Sequence, residues 1–168
     1  MNIRLTGLAA AATAVAVGVV APAASGATTY SDTAKGVEVA ATSTQGTFVG
    51  TASGALPGDW EATIDHTPLS SSGATITGGS FSLSTVLGGY PTLVTGNFTG
   101  GTVTVEVPGY GCKNQKFGID GTLGDVGPWY SGSGTGRFSG TLTHYRQRVF
   151  GSCVTYAASV TGSLALTF

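Results

Sequence analysis

From Val37 onward, apolar and polar residues alternate along the chain with a period of two. That spacing turns one face of a β-strand inward and the other outward. The runs Val37–Ala41, Gly46–Leu56, Asp59–His66 and Gly73–Leu87 are predicted strands. Thr92–Phe98, Thr102–Val107, Lys116–Leu123, Thr135–Phe150 and Val154–Phe168 follow. Pro57-Gly58, Thr67-Pro68, Gly88–Pro91, Pro108–Gly111 and Gly151-Ser152 punctuate these runs as turns. Gly78-Gly79 reads as a bulge or tight corner, and Gly100-Gly101 as a hairpin turn. The last segment alternates most clearly. Val154, Tyr156, Ala158, Val160, Leu164, Leu166 and Phe168 share one face, opposite Thr155, Ser159, Thr161, Ser163 and Thr167.

About eight or nine strands joined by short turns predict an all-β domain, a single antiparallel β-barrel or, alternatively, a β-sandwich. Sequential hairpins favour an up-and-down barrel. Closure also removes the exposed strand edges that a chain with few charged side chains would leave unguarded. No helix of ordinary length is required after residue 36.

Residues 1–27 have the layout of a secretory signal peptide. Arg4 supplies the positive start, Leu8 to Val20 an uncharged apolar stretch, and Ser25 and Ala27 the small residues before a cleavage site. Residues 28–168 are then one secreted domain. Without Arg4, six basic residues face eight acidic ones, a net charge of about −2. That balance attracts neither nucleic-acid phosphates nor anionic lipid. Charged residues make up 9 % of the chain, and there are 28 glycines among many Thr and Ser. The period-two pattern running through them argues for order over disorder. Cys112 and Cys153, an even pair in an exported chain, are expected to form a disulfide. Two distant thiols with only His66 and His144 beside them make no recognisable metal-ligand set.

Residues 132–140, Gly-Ser-Gly-Thr-Gly-Arg-Phe-Ser-Gly, resemble the G-T-G-R-F-x-G hairpin of allene-oxide-cyclase-like and dirigent-like secreted β-barrels. The resemblance implies a small barrel of eight or so strands, and no activity is carried over from it. Gly58-Asp59-Trp60 resembles the G-x-W of lipocalins, which implies a Trp packed at a barrel end against Arg146 or Arg148.

Asp59, Glu61 and Asp65 lie on one face of one strand, opposite Trp60, Ala62, Ile64 and His66. They read as an outward acidic stripe, with His144, Arg146 and Arg148 as a complementary stripe across strands. No G-x-S-x-G elbow occurs, and Asp65 and His66 point to opposite faces. His144 is the better catalytic candidate, but the sequence offers it no acid partner. Inspection thus leans away from enzymatic activity, and no cofactor is indicated. Asn97-Phe98-Thr99 matches the N-glycosylation pattern.

The expected function is binding. Trp129, Tyr130, Tyr90 and Tyr110, on Gly-rich loops, would line a barrel mouth that holds a small apolar or carbohydrate ligand. The alternatives are a structural or cell-surface interaction protein without a pocket, and an outer-membrane barrel suggested by the terminal strand ending in Phe168.

Overall fold

Apolar residues face in and hydroxyl-bearing residues face out around the wall of the structure, a computed structural model that describes residues 26–168. Eight strands build it: β1 (Thr29–Ala41), β2 (Gln45–Gly54), β3 (Gly58–His66), β4 (Gly73–Leu87), β5 (Tyr90–Val107), β6 (Gln115–Pro128), β7 (Gly134–Val149) and β8 (Ser152–Thr167). Each pairs antiparallel with its sequence neighbours, and β1 pairs with β8 to close an up-and-down barrel. The sandwich alternative is thereby set aside. Apart from Gly26 and Ala27, the expected leader, residues 1–27, lies outside the described residues.

The count is eight, within the eight or nine expected, because Gly100-Gly101 is not a hairpin turn and the runs on either side of it are one strand. β5 runs through it for 18 residues, with a register shift beside it. At Gly101 φ is +137°, and a Cβ there would sit 2.1 Å from the Asp120 carbonyl oxygen. Glycine lets the strand bend sharply and continue, as a tightly curved wall requires. Register shifts also change which side chains turn inward. One between Val105 and Val107 leaves Val107 exposed. Another, where β7 and β8 slip between Tyr145 and Arg146, exposes Val154 and Tyr156. The single inward face expected for β8 therefore begins at Ala158. The irregularity expected near Gly78-Gly79 is present, where β3 and β4 shift between Asp65 and His66.

An eight-stranded barrel is just wide enough for side chains to fill it. Phe48, Trp60, Phe81, Phe98 and Phe138 do so here, and the central cavity left among them is about 20 Å3. Large rings fit because glycines face them from neighbouring strands. Trp60 is opposite Gly50, which is opposite Gly36, and a Cβ on Gly36 would lie 2.7 Å from the indole. Phe138 likewise covers Gly140 and Gly162, each 2.8 Å from its ring by the same measure. This explains the Gly-rich stretch 132–140. Gly136, Phe138 and Gly140 alternate along the wall facing the core, while Arg137 on the outer face donates from Nε to Asp120 Oδ1 at 3.0 Å. That hydrogen bond and the Asp120 charge raise the guanidinium pKa above its ordinary value.

One end of the barrel is plugged. Leu56, Val126 and Leu166 are buried there, and the Leu56 N–H donates to the buried Asp32 carboxylate at 2.8 Å. Tyr30 stacks on Phe168 nearby, ring centres 5.0 Å apart. At the other end, Cys112, in a short 3-10 turn between β5 and β6, is bonded to Cys153 at the start of β8, with Cα atoms 5.4 Å apart. Arg146 donates from Nη1 to the Gly109 carbonyl at 3.0 Å and joins the same brace. Neither Arg146 nor Arg148 partners Trp60, whose Nε1 is buried without a hydrogen bond. The partnership implied by the G-x-W resemblance is therefore corrected.

Candidate functional site

The unplugged end opens into a cup of about 290 Å3. Phe48, Ile64, Val103, Phe117, Ile119 and Leu142 form its apolar floor and walls. Each is an inward residue near the rim end of its strand, so strand alternation alone builds the lining.

One polar pair interrupts it. His144 Nε2–H donates to Glu38 Oε2 at 2.9 Å, and both side chains are largely buried, 20 % and 11 % exposed. Glu38 stands on β1 and His144 on β7, with β8 between them. Ala158 is opposite His144, and the β1–β8 register runs from Thr29↔Thr167 to Val37↔Ser159, which carries Glu38 toward Ala158. Because Ala158 has no side chain beyond Cβ, the carboxylate and imidazole reach over it. The Phe117 ring meets the His144 ring edge-on at 5.2 Å and holds its orientation. His66, at the rim, donates Nδ1–H to the Thr67 carbonyl at 2.8 Å. That tautomer leaves its Nε2 as an acceptor. Nε2–H of His144 is committed to Glu38, which leaves Nδ1 as its second hydrogen-bonding atom.

The pair is reached from a second direction. The β1–β8 ladder stops at Val37↔Ser159, and the ends of the two strands diverge beyond it. An opening of about 350 Å3 results, lined by Glu38, Val39, His144, Tyr156 and Ala158 among others. Hydrogen bonding to a ligand head group, and proton exchange with it, are both within the chemistry of a carboxylate–imidazole pair so placed. Among the described residues, no group of three or more His, Cys, Asp or Glu side chains is placed to hold a metal ion.

The aromatic residues expected to line one mouth do not share one. Tyr110 is on the β5–β6 turn at the open rim, whereas Tyr90, the first residue of β5, and Trp129 and Tyr130, on the β6–β7 turn, are at the plugged end. All four are more than 70 % exposed. Sequence inspection could not sort them, since which turns cluster depends on strand direction around the closed barrel. It also missed Glu38, because the alternation of Val37, Glu38 and Val39 predicts the valines inward, whereas both valines are exposed and Glu38 turns into the cup. The expected cross-strand meeting of the 59–65 acidic stripe with His144, Arg146 and Arg148 does not occur. β3 pairs with β2 and β4, while β7 pairs with β6 and β8. Asp65 instead accepts from Gln45 Nε2 at 2.7 Å, and His144 points into the cup.

No protein-family model matches the chain, and neither a curated protein nor a solved structure is found to match it.

Proposed function

We propose that this chain is an exported binding protein whose open barrel mouth holds a small, largely apolar ligand with one hydrogen-bonding head group. The observation that carries this reading is the apolar cup of about 290 Å3 with the Glu38–His144 pair as its one deeply placed polar feature. Ligand sites combine apolar walls, which supply affinity, with a few placed polar groups, which fix orientation. The volume lies just below the usual range for such sites, about 300–1,000 Å3, so the ligand is small. Export is supported by the leader pattern of residues 1–27 and by the Cys112–Cys153 disulfide, a bond that persists in oxidising compartments. The outward face of the wall is dominated by Thr, Ser and charged side chains, the reverse of a barrel whose exterior meets lipid.

A pocketless structural role is the second reading, and the filled barrel middle favours it. Titration with Nile red, a neutral apolar dye, separates the two. The dye should brighten and shift to the blue with the protein, and a long-chain alcohol should displace it. Val103→Phe and Leu142→Phe place bulk in the cup and should each weaken binding about tenfold, with the circular dichroism spectrum unchanged. Absence of dye binding, or full binding by both variants, would overturn the proposal in favour of the pocketless reading.

A further inference from the structure

We propose that the outer wall beneath the Trp129 loop is a second, separate site, built to bind a neutral carbohydrate chain. Trp129 opens the β6–β7 turn at the plugged end, so this site is independent of the cup. Its backbone N–H donates to the Leu93 carbonyl at 3.0 Å, which ties the turn to β5. The indole is 71 % exposed and packs edge-on against Tyr130, ring centres 5.8 Å apart at 87°. A large flat ring is thus held in position yet left uncovered.

Beside it runs a groove of about 540 Å3 on the outer face, where Glu61, Ser82, Thr95, Asn97 and Asp125 meet Trp129. Strand register orders these groups. Glu61 is opposite Ser82, and Ser82 is opposite Thr95, a row across β3, β4 and β5 with adjacent strands about 4.8 Å apart. Asp125 completes the row through a local irregularity in β6. Its φ is +53°, and the ladders on both sides of it are shifted. That backbone conformation is unfavourable for a residue with a side chain. Here it swings the Asp125 carboxylate out of the wall to meet Asn97, whose Nδ2 donates to Oδ2 at 3.4 Å.

The chemistry of this set points to one ligand class. The apolar C–H face of a sugar ring stacks on an exposed indole, while its hydroxyls exchange hydrogen bonds with carboxylate, amide and hydroxyl groups alongside. Among the described residues, Glu61 and Asp125 are the only charged ones lining the groove, and both are acidic, so phosphorylated, sulfated or uronic-acid ligands are repelled. A simple cation would satisfy the carboxylates but has no use for the Ser82–Thr95–Asn97 row. An uncharged glycan uses all of it. The groove lies on the outside of the wall, so a chain can pass along it without having to be enclosed.

Cellohexaose, laminarihexaose and chitohexaose are suitable probes, followed by intrinsic fluorescence and calorimetry on the exported chain. Trp60 is buried and Trp129 exposed, so acrylamide quenching reports Trp129 selectively. At least one of the three sugars should shift the emission to the blue and shield Trp129 from acrylamide. Trp129→Ala should weaken binding about tenfold, and Asn97→Ala should also weaken it. Val103→Phe, in the cup, should leave sugar binding unaltered. Raising salt from about 0.05 to 0.5 M should change the affinity by less than about twofold. The proposal is overturned if none of the three sugars binds at millimolar concentration, or if Trp129→Ala binds as well as the parent. A steep loss of affinity with salt would likewise overturn it, since stacking and hydrogen bonding to an uncharged sugar leave no charge to screen.

Discussion

Glu38 and His144 are 106 residues apart in sequence and meet at 2.9 Å over the methyl group of Ala158. The contact spans a whole strand, because β8 lies between the two that carry the pair. It depends on closure of the barrel: in an open sheet β1 and β8 would be opposite edges. Where the β1–β8 ladder gives out beyond Val37↔Ser159, this side-chain bond ties β1 to β7 across the inner face of β8.

Removing one partner should therefore cost more than an exposed ion pair would. Glu38→Ala should destabilise the domain by about 1–3 kcal/mol, since it strands a largely buried imidazole N–H. Urea unfolding measures this directly. In a double-mutant cycle with His144→Ala, the coupling should be at least about 0.5 kcal/mol. Additive losses would mean that the pair contributes nothing to the rim.

The two tryptophans should behave as opposites. Trp60 is 7 % exposed inside the barrel, so Trp60→Ala should cost about 3–5 kcal/mol. Trp129 touches no core, and Trp129→Ala should change stability by less than about 0.5 kcal/mol. Thermal and urea denaturation followed by circular dichroism compares them without relying on indole fluorescence. Unfolding of Trp129→Ala would show that the residue anchors the fold.

Gly162→Ala tests the fit of rings over glycines. The added carbon would sit 2.5 Å from the Ser139 carbonyl oxygen and 2.8 Å from the Phe138 ring. A loss of about 1–3 kcal/mol is expected from overpacking. Phe138→Leu in the same chain should restore only part of it, because the backbone contact remains. Full recovery in the double variant would mean that the ring alone sets the requirement.

Breaking the rim brace should weaken both stability and the cup. Cys153→Ser removes a bond that closes a loop of 41 residues, and a cost of about 2–5 kcal/mol follows. Denaturation with and without reductant reads the stability, and Nile red titration reads the mouth. A variant as stable as the parent would indicate that the loop is held by the Arg146–Gly109 and Arg146–Asn114 hydrogen bonds alone.

Much of the architecture was legible in the chain. Period-two alternation from Val37 to Phe168 dictates antiparallel strands, an apolar interior and a hydroxyl exterior, because only that arrangement buries Phe48, Ile64, Leu83 and Leu164 together. The even cysteine count anticipated the bond between Cys112 and Cys153. Single-residue irregularities were not legible. Gly100-Gly101 has the composition of a turn and the geometry of a bend, and only the Asp120 carbonyl behind Gly101 decides between them. The slip at Tyr156 similarly ends the inward face of β8 without any change in its alternating sequence.

The candidate sites lay further from reach. Local alternation places His66 on the inward face with Trp60, but it sets Glu38 opposite the apolar Val37 and Val39 and puts His144 in an outward basic stripe, and the Glu38–His144 contact exists only because β1 and β8 close the ring. Composition marks Tyr90, Tyr110, Trp129 and Tyr130 as loop aromatics, while the up-and-down path of the chain sends Tyr110 to one end and the other three to the opposite one. The sequence by itself determined that the chain forms strands with one apolar face, since that follows from their period of two. The tertiary structure decided which polar groups meet and where space is left, since both depend on barrel closure, on register, and on how far the rings of Trp60 and Phe138 reach across neighbouring glycines.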